Sequence, residues 1–442
     1  LMTLFRQEQN YTRIKGKLIY RTHIVGPVFI FCGLFARYKF NLYLAMDYKY
    51  FHKFLLDGNL YLVNKRRYVE MSNELKTPFR YDYVGSFLRP QALKDAKVQL
   101  RKNEISQEEY DKVVNEEITK LVAKQKELGY QVVTDGEFRR TFWHLDFMWG
   151  FEGVEHENTG GGIQFHGELA LLDDTYLVGK LKAKPHPFVE YFKFLKQFED
   201  ENTVAKYTIP APAQTFQQFI IPDNLESTRE FYETNEELIQ DIAKAYQDVI
   251  KQFYDAGCRN LQLDDCTWGA VVGDAAKLRY KALGIDLETV KAQLLEVNNL
   301  ALEGKPKDLV ITSHICRWNY NSTYFSSGAY DSVADYVFAK ENVDALLLEY
   351  DDERSGNFEA LAKVSPDKKV VLGLITTKSP ELEDKEEVIA RIKEASKYVP
   401  LERLCLSPQC GFASCEIGNK LTEEEQWAKL RLVKEIADEV WA

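Results

Sequence analysis

From about residue 80 to its end the chain repeats one unit: a short β-branched or apolar run, a turn, and a longer stretch with helical spacing. The runs fall at 81–87, 131–137, 206–210, 260–265, 310–316, 345–350, 369–375 and 404–410. Helical patterns lie at 104–128, 235–256, 286–302, 330–340, 385–398 and 421–439, the first two closed by Gly129 and Gly257. Eight strands, most followed by a helix, predict an α/β fold closed as a (β/α)8 barrel, the TIM-barrel architecture. Residues 144–203 break the rhythm with aromatics, Gly160-Gly-Gly162 and the alternating Thr175–Lys182. They are expected to be an inserted hairpin covering one mouth.

In such barrels chemistry gathers at the C-terminal ends of the strands. Ser86, Glu137, Asp264, His314, Cys316, Glu349, Lys378 and Cys410 all stand at or just after a predicted strand end. Side chains on a strand repeat with period two, so His314 and Cys316 point to one side. With Glu349 and Cys410 they make a donor set for zinc: two thiolates select it over magnesium or calcium, and the carboxylate tempers their softness. A weak fourth ligand such as Glu349 can yield to an incoming thiol, which then loses its proton near neutral pH and attacks an alkyl group. The competing reading is a satisfied core histidine among buried cysteines.

The other mouth residues suit a zwitterion. Glu137 and Asp264 can hold an ammonium, and the Gly85-Ser86 turn can receive a carboxylate. Alternatively, either acid caps a helix or pairs with Arg139. Asp265 faces the other side of its strand and reads as structural, and Cys405 reads as core. Cys258 and Cys266 have no assigned partner, and Cys415 is a substitute ligand.

A net charge of −11 over 442 residues argues against nucleic acid or an anionic membrane as partner and for small-molecule chemistry. Seven cysteines without a secretory signal or regular framework point to a reducing compartment, the cytoplasm. Residues 1–70 differ from the rest: they hold 12 Lys and Arg against 4 Asp and Glu, where the remainder holds 45 against 64. Their most apolar stretch, His23–Ala36, is shorter than the roughly 20 residues of a bilayer span, and no small-residue cleavage site follows it. The functional protein is expected to begin near Met71, with a poorly structured extension before it from an over-extended reading frame, and a single barrel over 71–442.

Val84-Gly-Ser86, Asp135-Gly-Glu-Phe138, Gln262-Leu-Asp-Asp265, Ser313-His-Ile-Cys316, Leu348-Glu349 and Pro408-Gln-Cys-Gly411 occur in that order. Together they resemble the catalytic barrel of cobalamin-independent methionine synthase. The resemblance implies zinc on His314, Cys316, Glu349 and Cys410, and homocysteine or methionine on Gly85, Ser86, Glu137 and Asp264. The implied reaction is methyl transfer to the homocysteine sulfur.

The chain departs from the family in three places that bear on the methyl donor, and in a fourth that bears on protons. Ala270 stands where the family carries a folate-binding Glu, the expected tryptophan is missing from 209–222, and residues 1–70 cannot replace the family's N-terminal barrel. Lys378 replaces a proton-donating His before Ser-Pro, and is either the catalytic acid or a surface or carboxylate contact. The shape is similar to the short single-barrel relatives, with methyltetrahydrofolate, a small thioether or a methylcorrinoid protein as donor. Two alternatives are a zinc hydrolase, whose usual His pair on the first strand is missing from Tyr81–Ser86, and an inactive zinc- and homocysteine-binding protein.

Overall fold

The computed structural model describes residues 9–14, 17–22, 75–165 and 167–442. The chain forms two compact units, Leu1–Glu74 and Leu75–Ala442. Within the first, Gln9–Ile14 and Lys17–Thr22 pair as an antiparallel hairpin. The expectations for His23–Ala36 and for a start near Met71 lie outside the described residues. Among the described residues no helix is long and apolar enough to cross a membrane.

In the second unit Tyr207–Pro210, Asn260–Asp265, Val310–Ile315, Ala345–Glu349, Lys369–Ile375 and Leu404–Pro408 pair side by side, all parallel and in chain order. Parallel neighbours need a crossover, and helices such as Asn235–Asp255, Leu287–Ala301, Lys385–Ala395 and Glu423–Val440 supply it. The ring closes through its shortest members. The third barrel strand bends at Lys206, so that Val204–Ala205 pairs with Val132–Val133 while Tyr207–Pro210 pairs with the fourth strand. Residues 81–86 fill the last gap through parallel bridges of Tyr81 to Leu406 and of Ser86 to Gly136. The result is the expected (β/α)8 barrel.

Residues 81–87, predicted as a regular strand, make bridges at their two ends instead of a ladder, because side chains occupy the backbone groups between. The Tyr83 N–H donates to Asp82 Oδ1 at 2.8 Å. The Tyr83 carbonyl accepts from Lys206 Nζ, that of Val84 from Gln262 Nε2 at 2.7 Å, and that of Gly85 from Thr134 Oγ1 at 2.7 Å.

The helices follow local chemistry. Asn235–Asp255 is capped by Thr234 and buries Leu238, Ile242, Ala245, Val249 and Phe253 along one stripe. The pattern predicted from residue 104 begins at Gln107, where Ser106 and Glu109 form a capping box. Before it stands helix Gln91–Arg101, which the sequence reading omits: it buries only Leu93 and Ala96, too short a stripe to register as a period. The single helix predicted at 330–340 is two, Asp331–Ala334 and Val337–Lys340, interrupted at Tyr336 with φ −95° and ψ −76°.

The segment 144–203 contains the expected hairpin, Glu152–Glu157 against Asp174–Lys182, with a smaller one, Gly162–Gln164 against Leu169–Leu171, between its arms.

Candidate functional site

Barrel register sets His314 beside Asp264 on adjacent strands, and Glu349 ends the next strand opposite Gly373. Cys316 follows the fifth strand by one residue, and Cys410 follows the eighth by two. One donor atom from each of His314, Cys316, Glu349 and Cys410 lies within 4.8 Å of all the others, and all four residues are buried. The two sulfurs are 3.6 Å apart.

The group fits a soft cation on three observations. The ring of buried His314 has no well-formed hydrogen bond to a nitrogen or oxygen and meets the Cys410 thiol. The Cys316 thiol is pushed well up, first by its hydrogen bond with Cys266, and the Cys410 thiol well up, first by its hydrogen bond with Cys316 and then by burial. Two adjacent buried thiols resist ionising together, and a cation between them reverses that preference. The carboxylate of Glu349 is held at both oxygens, by the Arg317 N–H at 3.0 Å and by Arg354 Nη2 at 3.0 Å.

The acids fall nearby. Glu137 sits at φ +61°, an uncommon conformation for a residue with a side chain, at the turn that ends the second strand. Its Oε1 accepts from Thr208 Oγ1 at 2.8 Å and lies 3.3 Å from Arg140 Nη1, while Oε2 is buried without a partner. The ion-pair partner is therefore Arg140 and not Arg139, which donates to Asn115. Asp264 accepts from Gln262 Nε2 at 2.8 Å, and burial, then the Glu137 charge, hold its carboxyl well above the usual range. These two acids want a cation between them.

One pocket of about 580 Å³, its open mouth included, is lined by Ser86, Glu137, Asp264, His314, Cys316 and Cys410. Gly411 borders it because any Cβ there would sit 1.9 Å from Ser86 Oγ. Gly85, at φ +136°, lies behind Ser86 with Thr208 and Thr134 packed against it. Lys378 stands apart: its Nζ pairs with Asp351 at 2.6 Å, and Asp351 shares Arg354 with Glu349. It backs the donor cluster and does not line the pocket.

Asp265 is structural, as expected, accepting from the Thr267 N–H at 2.8 Å and Asn298 Nδ2 at 2.9 Å. Cys405 packs with Val84, Leu347 and Val371 in the barrel interior. Cys415 lines the pocket without joining the donor cluster.

The sequence reading gave Cys266 no role, yet it packs with Cys316, Cys410 and Trp143 beside the cluster. Its place directly after the fourth strand was the available signal. Trp143, His144, Phe165, Trp318, Asn319 and Tyr320 also line the pocket. Only Trp318, two residues past Cys316, had a spacing that pointed there.

A parallel (β/α)8 barrel whose mouth joins two thiols, an imidazole and a carboxylate to an acidic pocket has the layout of a barrel enzyme with a soft-cation site. Residues 81–160 and 227–439 match the family model for the cobalamin-independent synthase catalytic domain, and the chain belongs to that family. It is 47% identical over 367 residues to the uncharacterized Bacillus subtilis protein YxjH, covering 83% of this chain and 96% of that one. A crystal structure of a candidate vitamin-B12-independent methionine synthase from Listeria monocytogenes, 38% identical, superposes with a TM-score of 0.66 over 83% of this chain and 99% of that one. Methionine synthase of Saccharolobus solfataricus is 26% identical over 335 residues, 74% of this chain and 86% of that protein.

Proposed function

We propose that the protein transfers a methyl group to the thiol sulfur of homocysteine, giving methionine, with zinc held by His314, Cys316, Glu349 and Cys410. One observation carries the reading: three of those donors and the Glu137–Asp264 pair line a single pocket. Glu137 Oε2, buried and unpartnered, and Asp264 would hold the amino acid's ammonium, whose charge offsets the burial and the Glu137 repulsion that raise the Asp264 pKa. Gly85 and Ser86 would receive its carboxylate at the turn. Glu349 shares its charge with Arg354, which makes it the weakest of the four donors and the one an incoming thiol would displace. Zinc, when bound, would supply the Lewis acidity that draws a thiol's pKa toward neutrality. A thiol-rich site of this kind works in a reducing compartment, consistent with the cytoplasm.

Relatives named methionine synthase and 5-methyltetrahydropteroyltriglutamate–homocysteine methyltransferase support homocysteine as the acceptor. This chain spans only 39% of the latter protein from Thermosynechococcus vestitus, so the donor is a separate question.

Metal analysis and a methionine assay test the proposal on the full chain. About one zinc per chain is expected, as in a four-ligand site, with methionine formed from homocysteine and at least one methyl donor. Cys410→Ser is expected to lose the metal and to cost more than the roughly 10–100-fold typical of removing an outer-shell partner. Full zinc and full turnover in that variant would contradict the ligand set. Tight zinc and homocysteine binding with no turnover on any donor would make this a binding protein.

A further inference from the structure

The pocket wall away from the acids and thiols is aromatic. Trp143, Phe165, Trp318 and Tyr320 line it, drawn from the turn after the second strand, the inserted hairpins and the loop after the fifth strand. The Phe165 ring centre lies 5.3 Å from that of Tyr320 and 6.3 Å from that of Trp318, tilted to both. Trp318 is fixed by its indole N–H, which donates to the Cys266 carbonyl at 3.1 Å, and by a backbone φ of +63°. Such a wall attracts a cation through the ring quadrupoles.

The charges agree. Glu137 and Asp264 line the pocket, and among the described residues no Lys or Arg does. Of the cations near these groups, Arg140 pairs with Glu137, Lys378 pairs with Asp351, and the Arg317 guanidinium lies over the Tyr330 ring. A donor bearing several carboxylates would meet like charge here and no partner. Proton supply points the same way. An amine leaving group must be protonated, but Lys378 faces Asp351, burial holds the His144 imidazole at a pKa of about 3, and Asp264 is taken up by the amino acid's ammonium.

We propose that the methyl donor is a small methylsulfonium compound, its cationic sulfur seated against Phe165, Trp318 and Tyr320. This rests on the homocysteine methyltransferase reading of the pocket. A bond forms between the homocysteine sulfur and the methyl carbon as the methyl–sulfonium bond breaks. The electron pair of the broken bond returns to the donor sulfur, which departs as a neutral thioether. The homocysteine thiol proton passes to water, so thiol plus sulfonium gives methionine, thioether and one proton. The leaving group needs no acid.

The test supplies the zinc-loaded full chain with homocysteine and, in parallel, methyl-labelled S-methylmethionine, methyltetrahydropteroyl triglutamate and methylcobalamin. Homocysteine affinity is measured separately by calorimetry. The sulfonium is expected to give labelled methionine with a kcat/KM at least about tenfold above either alternative, a difference within reach of a desolvated cation–aromatic contact. Trp318→Leu is expected to raise the sulfonium KM about tenfold with homocysteine affinity unchanged, and Trp318→Phe to recover most of the loss. Faster turnover with the folate or the corrinoid, no turnover with the sulfonium despite homocysteine binding, or an unchanged KM in a folded Trp318→Leu variant would each overturn the proposal. Failure to bind homocysteine would overturn the underlying reading instead.

Discussion

His186 shows how one buried side chain can record pH in the whole barrel. Its Nε2 lies 3.0 Å from the Phe147 carbonyl and its Nδ1 accepts from the Phe188 N–H at 3.2 Å, so the neutral ring with its proton on Nε2 satisfies both contacts. Burial lowers its pKa from 6.5 to about 4. The folded state therefore binds fewer protons than the unfolded one between those values. The contribution to stability is complete above pH 6.5 and is lost as pH falls toward about 4. At pH 5 that loss is about 2 kcal/mol for this group. Urea unfolding at pH 7 and pH 5 should show the native chain losing more than His186→Asn by about that amount. Equal losses would mean that His186 does not titrate between the two states. Glu137 makes a different point at this scale. Its role as an acid at a strand end was legible, but its positive φ and its pairing with Arg140 depend on a turn that packs against the third strand.

At the level of elements, the barrel seam is the unusual feature. Residues 81–86 carry little ladder pairing, and the buried Lys206–Asp82 pair, 2.7 Å apart and each 1% exposed, ties that segment to the bend of the third strand. Lys206 lies at the point where its strand turns from one neighbour to the other. Lys206→Met should cost roughly 3–5 kcal/mol by leaving Asp82 charged and buried, and adding Asp82→Leu should recover much of it. An unchanged urea midpoint in the single variant would mean that hydrophobic packing alone holds the seam. The strands with uniformly apolar centres and the helix with a long stripe could be read from sequence because burial on both faces, or on one, is written into residue spacing. Helix Gln91–Arg101 and the break at Tyr336 could not, since too few buried positions define the first and tertiary contacts impose the second.

For the molecule as a whole, the metal and the fold should be separable. The barrel has a continuous apolar core reaching from Tyr83 to Ile436, and the donor cluster sits at its mouth. On the proposed zinc site, a chelator should leave the far-ultraviolet circular dichroism intact and lower Tm by several degrees, since a metal at a hundred times its Kd contributes about 2.7 kcal/mol. Global unfolding on chelation would make the metal a structural requirement. The sequence by itself determined the barrel and which residues stand near its strand ends, because alternating strand and helix periods fix which positions reach the C-terminal mouth. Only the tertiary structure decided which of those residues meet. It drew Cys266 and the aromatics of the insertion into the pocket and turned Lys378 toward Asp351, because contacts between segments distant in sequence are set by packing and charge pairing, which no local period encodes.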